Sequence, residues 1–260
     1  MPRPFGQHFL KPESARELVD LIDPRPSETF LEIGPGALAI TTRLAERCRK
    51  VVAVEIDRRL VEDMKGKLPA NVTVVHADAL DVDYRALVPA GARLAGNLPY
   101  AISSPLLRRF LGHRDHFADA HLMLQKEVAD RVASPPGSKA YGYLSVLYAL
   151  WADVTIVQRL GPRDFSPPPK VDSAVIRCGF RTEPRHPVRS LPDFETLVRA
   201  SFTQRRRTIE NNLRLRYPDL KHYFKLAGIS ETRRAETLTV AEFAQLADVL
   251  PAPTDLTKTS

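Results

Sequence analysis

Residues 29–36, TFLEIGPG, and the ALAITTRLAERC that follows at 37–48 decide the fold. A short β-rich apolar run ends in Gly34 and Gly36, and a segment with helical periodicity opens directly on them. Strand, glycine turn and helix in that order begin a βαβ unit. The rhythm repeats in KVVAVEID (50–57) with RRLVEDMKGKL (58–68), then in the strands NVTVVHADAL (71–80), ARLAGNLPY (92–100) and AHLMLQKEV (120–128). Strands alternating with helices imply a mostly parallel sheet, and near-continuous apolar runs such as VVAV suit a sheet covered on both faces. The rhythm then changes. ADVTIVQRL (152–160) and SAVIRCGF (173–180) flank the proline-rich GPRDFSPPPKVD (161–172) with no helix between them, which predicts an antiparallel strand pair at the sheet's end. After RTEPRHPVRSLP (181–192) the pattern is helical to about residue 249, with a Pro/Thr tail. The expectation is therefore an α/β, Rossmann-like domain over 1–181 and a small helical domain over 182–260 that ends in a disordered tail.

Composition sets the broad class. The chain has 260 residues, 43% hydrophobic and 27% charged, as in an ordinary soluble globular protein. No apolar run is long enough to cross a bilayer and no charged-then-apolar leader opens the chain, so neither a membrane partner nor secretion is expected. Cys48 and Cys178 are too few and too far apart for a disulfide framework or a zinc site. These features predict a cytoplasmic protein without a metal. The net charge of +7 favours a polyanionic partner.

Gly34 and Gly36, after the first strand, allow a ligand to approach the backbone closely. Glu55 ends the second strand about twenty residues on, where an acid can hydrogen-bond two ribose hydroxyls. Asp78 ends the third, where a carboxylate can accept from an adenine amino group, while Asp57 reads as a surface carboxylate. Three strand ends carrying Gly, Glu and Asp meet at the carboxyl edge of a parallel sheet and imply an adenosine-containing cofactor. NAD and S-adenosylmethionine both satisfy this pattern. A dinucleotide also needs a second βαβαβ half, and here the fourth strand ends instead in Asn97-Leu98-Pro99-Tyr100.

That tetrapeptide suits methyl transfer to the amino group of adenine. The nitrogen lone pair is conjugated into the ring and is a poor nucleophile. Acceptors on both N–H bonds favour a pyramidal nitrogen, and the Asn97 side-chain carbonyl and Leu98 backbone carbonyl are candidates. Their dipoles also stabilise the positive charge that develops on nitrogen. Pro99 fixes the backbone so that the Leu98 carbonyl turns inward. Tyr100 offers a flat face to a base that has left its helix.

Seven motifs in order, GQHFL (6–10), LEIGPG (31–36), VEID (54–57), HADAL (76–80), NLPY (97–100), FSPPPKVDSAV (165–175) and FTQRRRTIENNL (202–213), span nearly the whole chain. Together they resemble the rRNA adenine N6,N6-dimethyltransferases of the KsgA type, relatives of the erythromycin-resistance methylases. The leucine of NLPY and the PPKVDSAV run resemble the small-subunit branch. The resemblance implies a class I methyltransferase sheet and S-adenosylmethionine as cofactor. It also implies dimethylation of two adjacent adenosines near the 3′ end of 16S rRNA in a pre-ribosomal particle, by a monomer. It places Gln7, His8 and Leu10 across the cofactor, with Ile56 on its adenine and Ala79 beside Asp78. Asn97 touches both cofactor and substrate, and Phe165 faces Tyr100 across the flipped adenine. Three positions depart from the family: His8 stands where Asn is usual, Leu38 where a further glycine is frequent, and Ala101 where Asn is frequent.

Residues 199–216, RASFTQRRRTIENNLRLR, carry six arginines against one glutamate. On a helix, Arg205, Arg206 and Arg207 would fan around the circumference as RNA phosphate contacts, with Lys170 and Arg163 extending the same surface. Rival readings are a resistance-type enzyme acting on 23S rRNA, an rRNA-binding assembly factor with incidental catalysis, and a nicotinamide oxidoreductase.

Overall fold

A computed structural model describes residues 8–253; Gln7 and the tail beyond residue 253 lie outside the described residues. In chain order the elements begin with β1 (Phe9–Leu10), α1 (Pro12–Ile22), β2 (Thr29–Ile33), α2 (Thr41–Ala45), β3 (Lys50–Glu55) and α3 (Arg58–Met64). There follow β4 (Val72–His76), α4 (Tyr84–Leu87), β5 (Ala92–Asn97), α5 (Ser103–Gly112), β6 (Phe117–Gln125) and α6 (Lys126–Val132). Then come α7 (Tyr143–Trp151), β7 (Ala152–Leu160), β8 (Phe165–Ser166), β9 (Ser173–Phe180) and the helices α8 (Leu191–Ser201), α9 (Ile209–Leu213), α10 (Leu220–Leu226) and α11 (Val240–Val249).

The main sheet has seven strands in the order β4-β3-β2-β5-β6-β9-β7. The first five run parallel, and β9 pairs antiparallel with both β6 and β7. From β2 the chain proceeds outward through β3 and β4, then returns to the other side of β2 for β5 and β6. The carboxyl ends of β2 and β5 thus flank the topological switch point, the crevice in which open α/β sheets bind ligands. Residues of β2 and β3 are buried on both faces, as their mostly apolar sequences require. Gly96 on β5 lets the strands come that close, because a Cβ there would lie 2.5 Å from the Ile33 carbonyl oxygen.

At the opposite end of the parallel strands, Arg93 of β5 is buried. Its guanidinium donates to both Asp119 oxygens at 2.7 and 2.9 Å and to Glu28 at 2.9 Å. The same group donates to the Ile22 carbonyl at 2.8 Å, closing the C-terminus of α1. One cation thus ties α1, β5, β6 and the segment before β2.

The chain divides into two compact units, one of residues up to 130 with 152–182, the other of 131–151 with 183–260. Segment 131–151, which the sequence expectation leaves in the first domain, therefore counts with the second unit, because α7 packs on α8 and α11. Within that unit Thr239 and Glu242 cap α11 reciprocally, Thr239 N donating to Glu242 at 2.7 Å and Glu242 N to Thr239 at 3.2 Å. Among the described residues no helix is long and apolar enough to cross a membrane.

Four local expectations change. The helix expected from Ala37 begins only at Thr41, because the glycine turn runs on through Leu38, at φ +65°. That left-handed backbone favours glycine, so Leu38 holds it at a steric cost. The strand expected through Val128 stops at Gln125, and Lys126 opens α6. Asp57 is not on the surface: it is the buried N-cap of α3, accepting from Arg59 N at 3.0 Å. Arg205, Arg206 and Arg207 lie in the turn between α8 and α9 rather than on a helix, since Thr208 starts α9 as its N-cap.

Candidate active site

The site is assembled at the carboxyl edge of β2, β3, β4 and β5. Gly34 (φ +70°) and Gly36 (φ +54°) form the turn after β2, and both use backbone angles that favour glycine. Gly34 N donates to the Val54 carbonyl at 2.9 Å. A Cβ on Gly34 would lie 3.5 Å from the Asn97 carbonyl oxygen, so the glycine turn and the end of β5 are in contact. Phe9 covers Gly36, where a Cβ would lie 3.0 Å from its ring.

Glu55 is buried at the end of β3, with one oxygen accepting from Gly36 N at 3.3 Å and the other from Asp57 N at 2.9 Å. Each carboxylate oxygen keeps an acceptor position, the arrangement two ribose hydroxyls would need. Ile56 follows, 41% exposed, an apolar side chain at the rim of the sheet. Asp78 Oδ1 accepts from Leu80 N at 2.8 Å, which leaves Oδ2 for a ligand amine. Ala79 is buried beside it, and its carbonyl accepts from Tyr84 Oη at 2.6 Å. A turn with two glycines, a carboxylate with acceptor capacity on both oxygens, a bare aliphatic and a half-engaged aspartate match an adenosine-containing ligand. The residues present fit an S-adenosylmethionine-type ligand.

At the end of β5, Asn97 Nδ2 donates to the His8 carbonyl at 3.1 Å. With one N–H turned to His8, the amide presents Oδ1 away from it. Leu98 is buried, its N–H donates to the Met123 carbonyl at 3.0 Å, and its own carbonyl has no partner among the described residues. The Pro99 carbonyl accepts from Ile102 N at 3.1 Å, starting the turn into α5. Tyr100 Oη and Ser173 Oγ lie 2.8 Å apart, and burial raises the phenol pKa against that hydrogen bond. The ring that faces Tyr100 is His8, with centroids 6.4 Å apart and planes at 26°. His8 Nδ1 lies 2.9 Å from the Pro167 carbonyl, which only accepts, so the proton is on Nδ1.

Two expected residues take different places. Phe165 is 2% exposed, in one core cluster with Leu10, Met123 and Val175. Its backbone pairs with Leu10 in the β1–β8 ladder. A ring so enclosed has no free face for a base, and stacking from it requires β1 and β8 to part. Leu10 is likewise a core residue, while its neighbours His8 and Phe9 reach the site. Lys170, Arg206 and Arg207 are exposed, and Arg205 is bound to Glu236 at 3.1 Å. No group of His, Cys, Asp or Glu among the described residues is placed to hold a metal ion.

Gly96, Ser173 and Phe9 are the residues beside the site to which the sequence reading gave no role. Gly96 carried a signal, since a glycine inside a strand marks a close backbone approach. Ser173 and Phe9 lie within quoted motifs, but their places depend on pairing over long sequence separations.

A sequence profile of the ribosomal RNA adenine dimethylases matches residues 2–251. A ribosomal RNA small subunit methyltransferase A from Dichelobacter nodosus is 41% identical over 250 residues, covering 95% of this chain and 94% of the relative. One from Geobacter metallireducens is 42% identical over 260 residues, with 95% and 94% covered. Among solved structures, a dimethyladenosine transferase from Plasmodium falciparum superposes with a TM-score of 0.72 at 25% identity, covering 92% of this chain and 96% of that one. The 23S rRNA methyltransferase ErmE gives 0.70 at 27% identity, covering 93% and 99%.

Proposed function

The chain belongs to the ribosomal RNA adenine dimethylase family, and on that premise we propose that it dimethylates N6 of two adjacent adenosines near the 3′ end of small-subunit rRNA. Membership brings a methyl donor of the S-adenosylmethionine type and an rRNA substrate. The finer reading is S-adenosylmethionine itself, used by a monomer on an immature small subunit in the cytoplasm. Curated relatives at 41% and 42% identity named as small-subunit enzymes favour this target over 23S rRNA, whereas the two solved structures do not separate the branches.

The observation that carries the chemistry is the pair of open acceptors, Asn97 Oδ1 and Leu98 O, where β5 meets the glycine turn. The donor's sulfonium supplies the methyl as an electrophile. The Asn97 and Leu98 carbonyls accept hydrogen bonds from the two N6 N–H groups and turn the nitrogen lone pair toward it, and their dipoles stabilise the charge that forms on nitrogen. Tyr100, held by Ser173, gives the extruded base a fixed face. The nitrogen, once cationic, loses its proton to water without a protein base. After one transfer a single N–H remains, so one of the two carbonyls still orients the base for the second. Glu55 and Asp78 bind the ribose and adenine of the donor, Gly34 and Gly36 its amino-acid end, and Ile56 covers its adenine. Incubation with labelled methyl donor and immature small subunits, followed by nucleoside analysis, should yield N6,N6-dimethyladenosine in 16S rRNA. Label in 23S rRNA alone would favour the resistance-type reading.

Two further outcomes are expected. Glu55→Ala removes acceptors for two ribose hydroxyls and should weaken S-adenosylhomocysteine binding about 10- to 100-fold by calorimetry. Arg206 and Arg207 are exposed and without an ion-pair partner among the described residues. Replacing both with alanine should lower the slope of log affinity for rRNA against log salt by about two, with cofactor affinity unchanged. An unchanged slope would assign the turn to solvent.

A further inference from the structure

Tyr100 gives the extruded base one face, and Phe165, the ring expected on the other, is enclosed in the core. His8 stands in that place. Its ring faces Tyr100 with planes inclined by 26° and centroids 6.4 Å apart. Flat rings in full contact lie about 3.5 Å apart, and twice that, about 7 Å, holds a third ring between two others. The pair stands less than about 1 Å short of that spacing. Both rings are half-buried rather than enclosed, and both are held by their edges. His8 Nδ1 donates to the Pro167 carbonyl at 2.9 Å, and Tyr100 Oη lies 2.8 Å from Ser173 Oγ. Hydrogen bonds at a ring nitrogen or a phenol oxygen run close to the ring plane, so neither uses up a face. The two anchors, Pro167 and Ser173, stand at either end of the connection from β8 to β9. The backbone sets the pair beside the chemistry. The His8 carbonyl accepts from Asn97 Nδ2 at 3.1 Å, and the next residue, Phe9, pairs with Ser166 and covers Gly36. Asn97 thus ties down the segment that carries one ring, and Tyr100 follows Asn97 by three residues with the other.

We propose that the His8 imidazole is the second stacking face for the substrate adenine, which enters between it and Tyr100 as the two rings part. The proposal rests on the methyl-transfer function above. It leaves the β1–β8 ladder closed, whereas a stack on Phe165 requires those strands to separate. Two faces do more than hold the base. The lone pair of N6 lies along the normal to the purine plane, so fixing that plane from both sides aims the lone pair, while the Asn97 and Leu98 carbonyls fix the rotation within the plane.

Three variants test this by kcat/KM for labelled methyl transfer to immature small subunits, with S-adenosylhomocysteine affinity measured beside it by calorimetry. His8→Phe keeps a ring and loses the N–H that holds Pro167; His8→Asn keeps an N–H donor and loses the ring. Stacking predicts that His8→Phe stays within about threefold of the unaltered protein, while His8→Asn and His8→Ala fall about 5- to 100-fold. Ligand affinity should change less than about threefold in all three, since the side chain serves the base. The opposite order, with His8→Asn active and His8→Phe impaired, would assign the residue to holding Pro167 and overturn the proposal. Equal rates in all three, an equal loss in all three, or a fall in ligand affinity as large as that in kcat/KM would overturn it too. The Phe and Asn variants decide the matter even if His8→Ala does not fold. If the unaltered protein transfers no methyl group to rRNA, the function proposed above falls, and this inference with it.

Discussion

Asn97→Ala should slow methyl transfer about 100- to 1000-fold at saturating donor, with a far smaller change in donor affinity. One N–H of the Asn97 amide holds the His8 carbonyl at 3.1 Å and fixes the group, so what the substitution removes from the reaction is the opposite end of the amide, its oxygen. That oxygen matters most in the transition state. In the ground state N6 is nearly neutral and water could serve as well; as the methyl arrives, nitrogen becomes cationic and a fixed acceptor in a dry site gains most. The loss should therefore fall on turnover under single-turnover conditions rather than on KM. Asn97→Asp keeps one oxygen but sets an anion against the His8 carbonyl, and should recover only part of the rate. Turnover within twofold of the unaltered protein in Asn97→Ala would remove the amide from the chemistry.

Arg93→Ala should destabilise the larger unit by about 3–5 kcal/mol. Five hydrogen bonds leave this guanidinium, to Asp119 (two), Glu28 and the carbonyls of Ile22 and Asp23. Its loss leaves the buried Asp119 carboxylate with only the longer ion pair to Arg177 at 3.8 Å and opens the end of α1. The poorly compensated anion is the larger part of the penalty. Arg93→Met combined with Asp119→Leu should accordingly be more stable than Arg93→Ala alone, because both charges then leave the interior together. Thermal and urea unfolding of the three variants measure this; a double variant no better than the single would shift the cause to the lost cap on α1.

The central parallel strands were readable because they are mostly apolar on both faces and lead into turns, so TFLEI, KVVAVE and ARLAGN carry their own assignment. The antiparallel β7 and β9 followed from the missing helix between them. Gly34, Gly36, Glu55, Asp78 and Asn97 were legible for a related reason: a strand end fixes where a side chain emerges. What stayed hidden depends on contacts between distant segments. Nothing local in GQHFL or in FSPPPKVD states that Leu10 pairs with Phe165 and draws that ring into the core, leaving His8 to face Tyr100. The arginine run reads as a helix by composition, yet Thr208 caps α9 one residue after it and turns the run into a loop. Segment 131–151 is separated in sequence from the helices it packs on, so no linker announces it.

A crystal structure of the protein with S-adenosylhomocysteine and adenosine bound tests the central claim most directly. The adenine N6 should lie about 2.7–3.2 Å from both Asn97 Oδ1 and Leu98 O, with the ring against Tyr100 and the nitrogen turned toward the thioether sulfur. An adenine whose N6 points away from both oxygens, or a site in which those oxygens are taken by the protein itself, would contradict it.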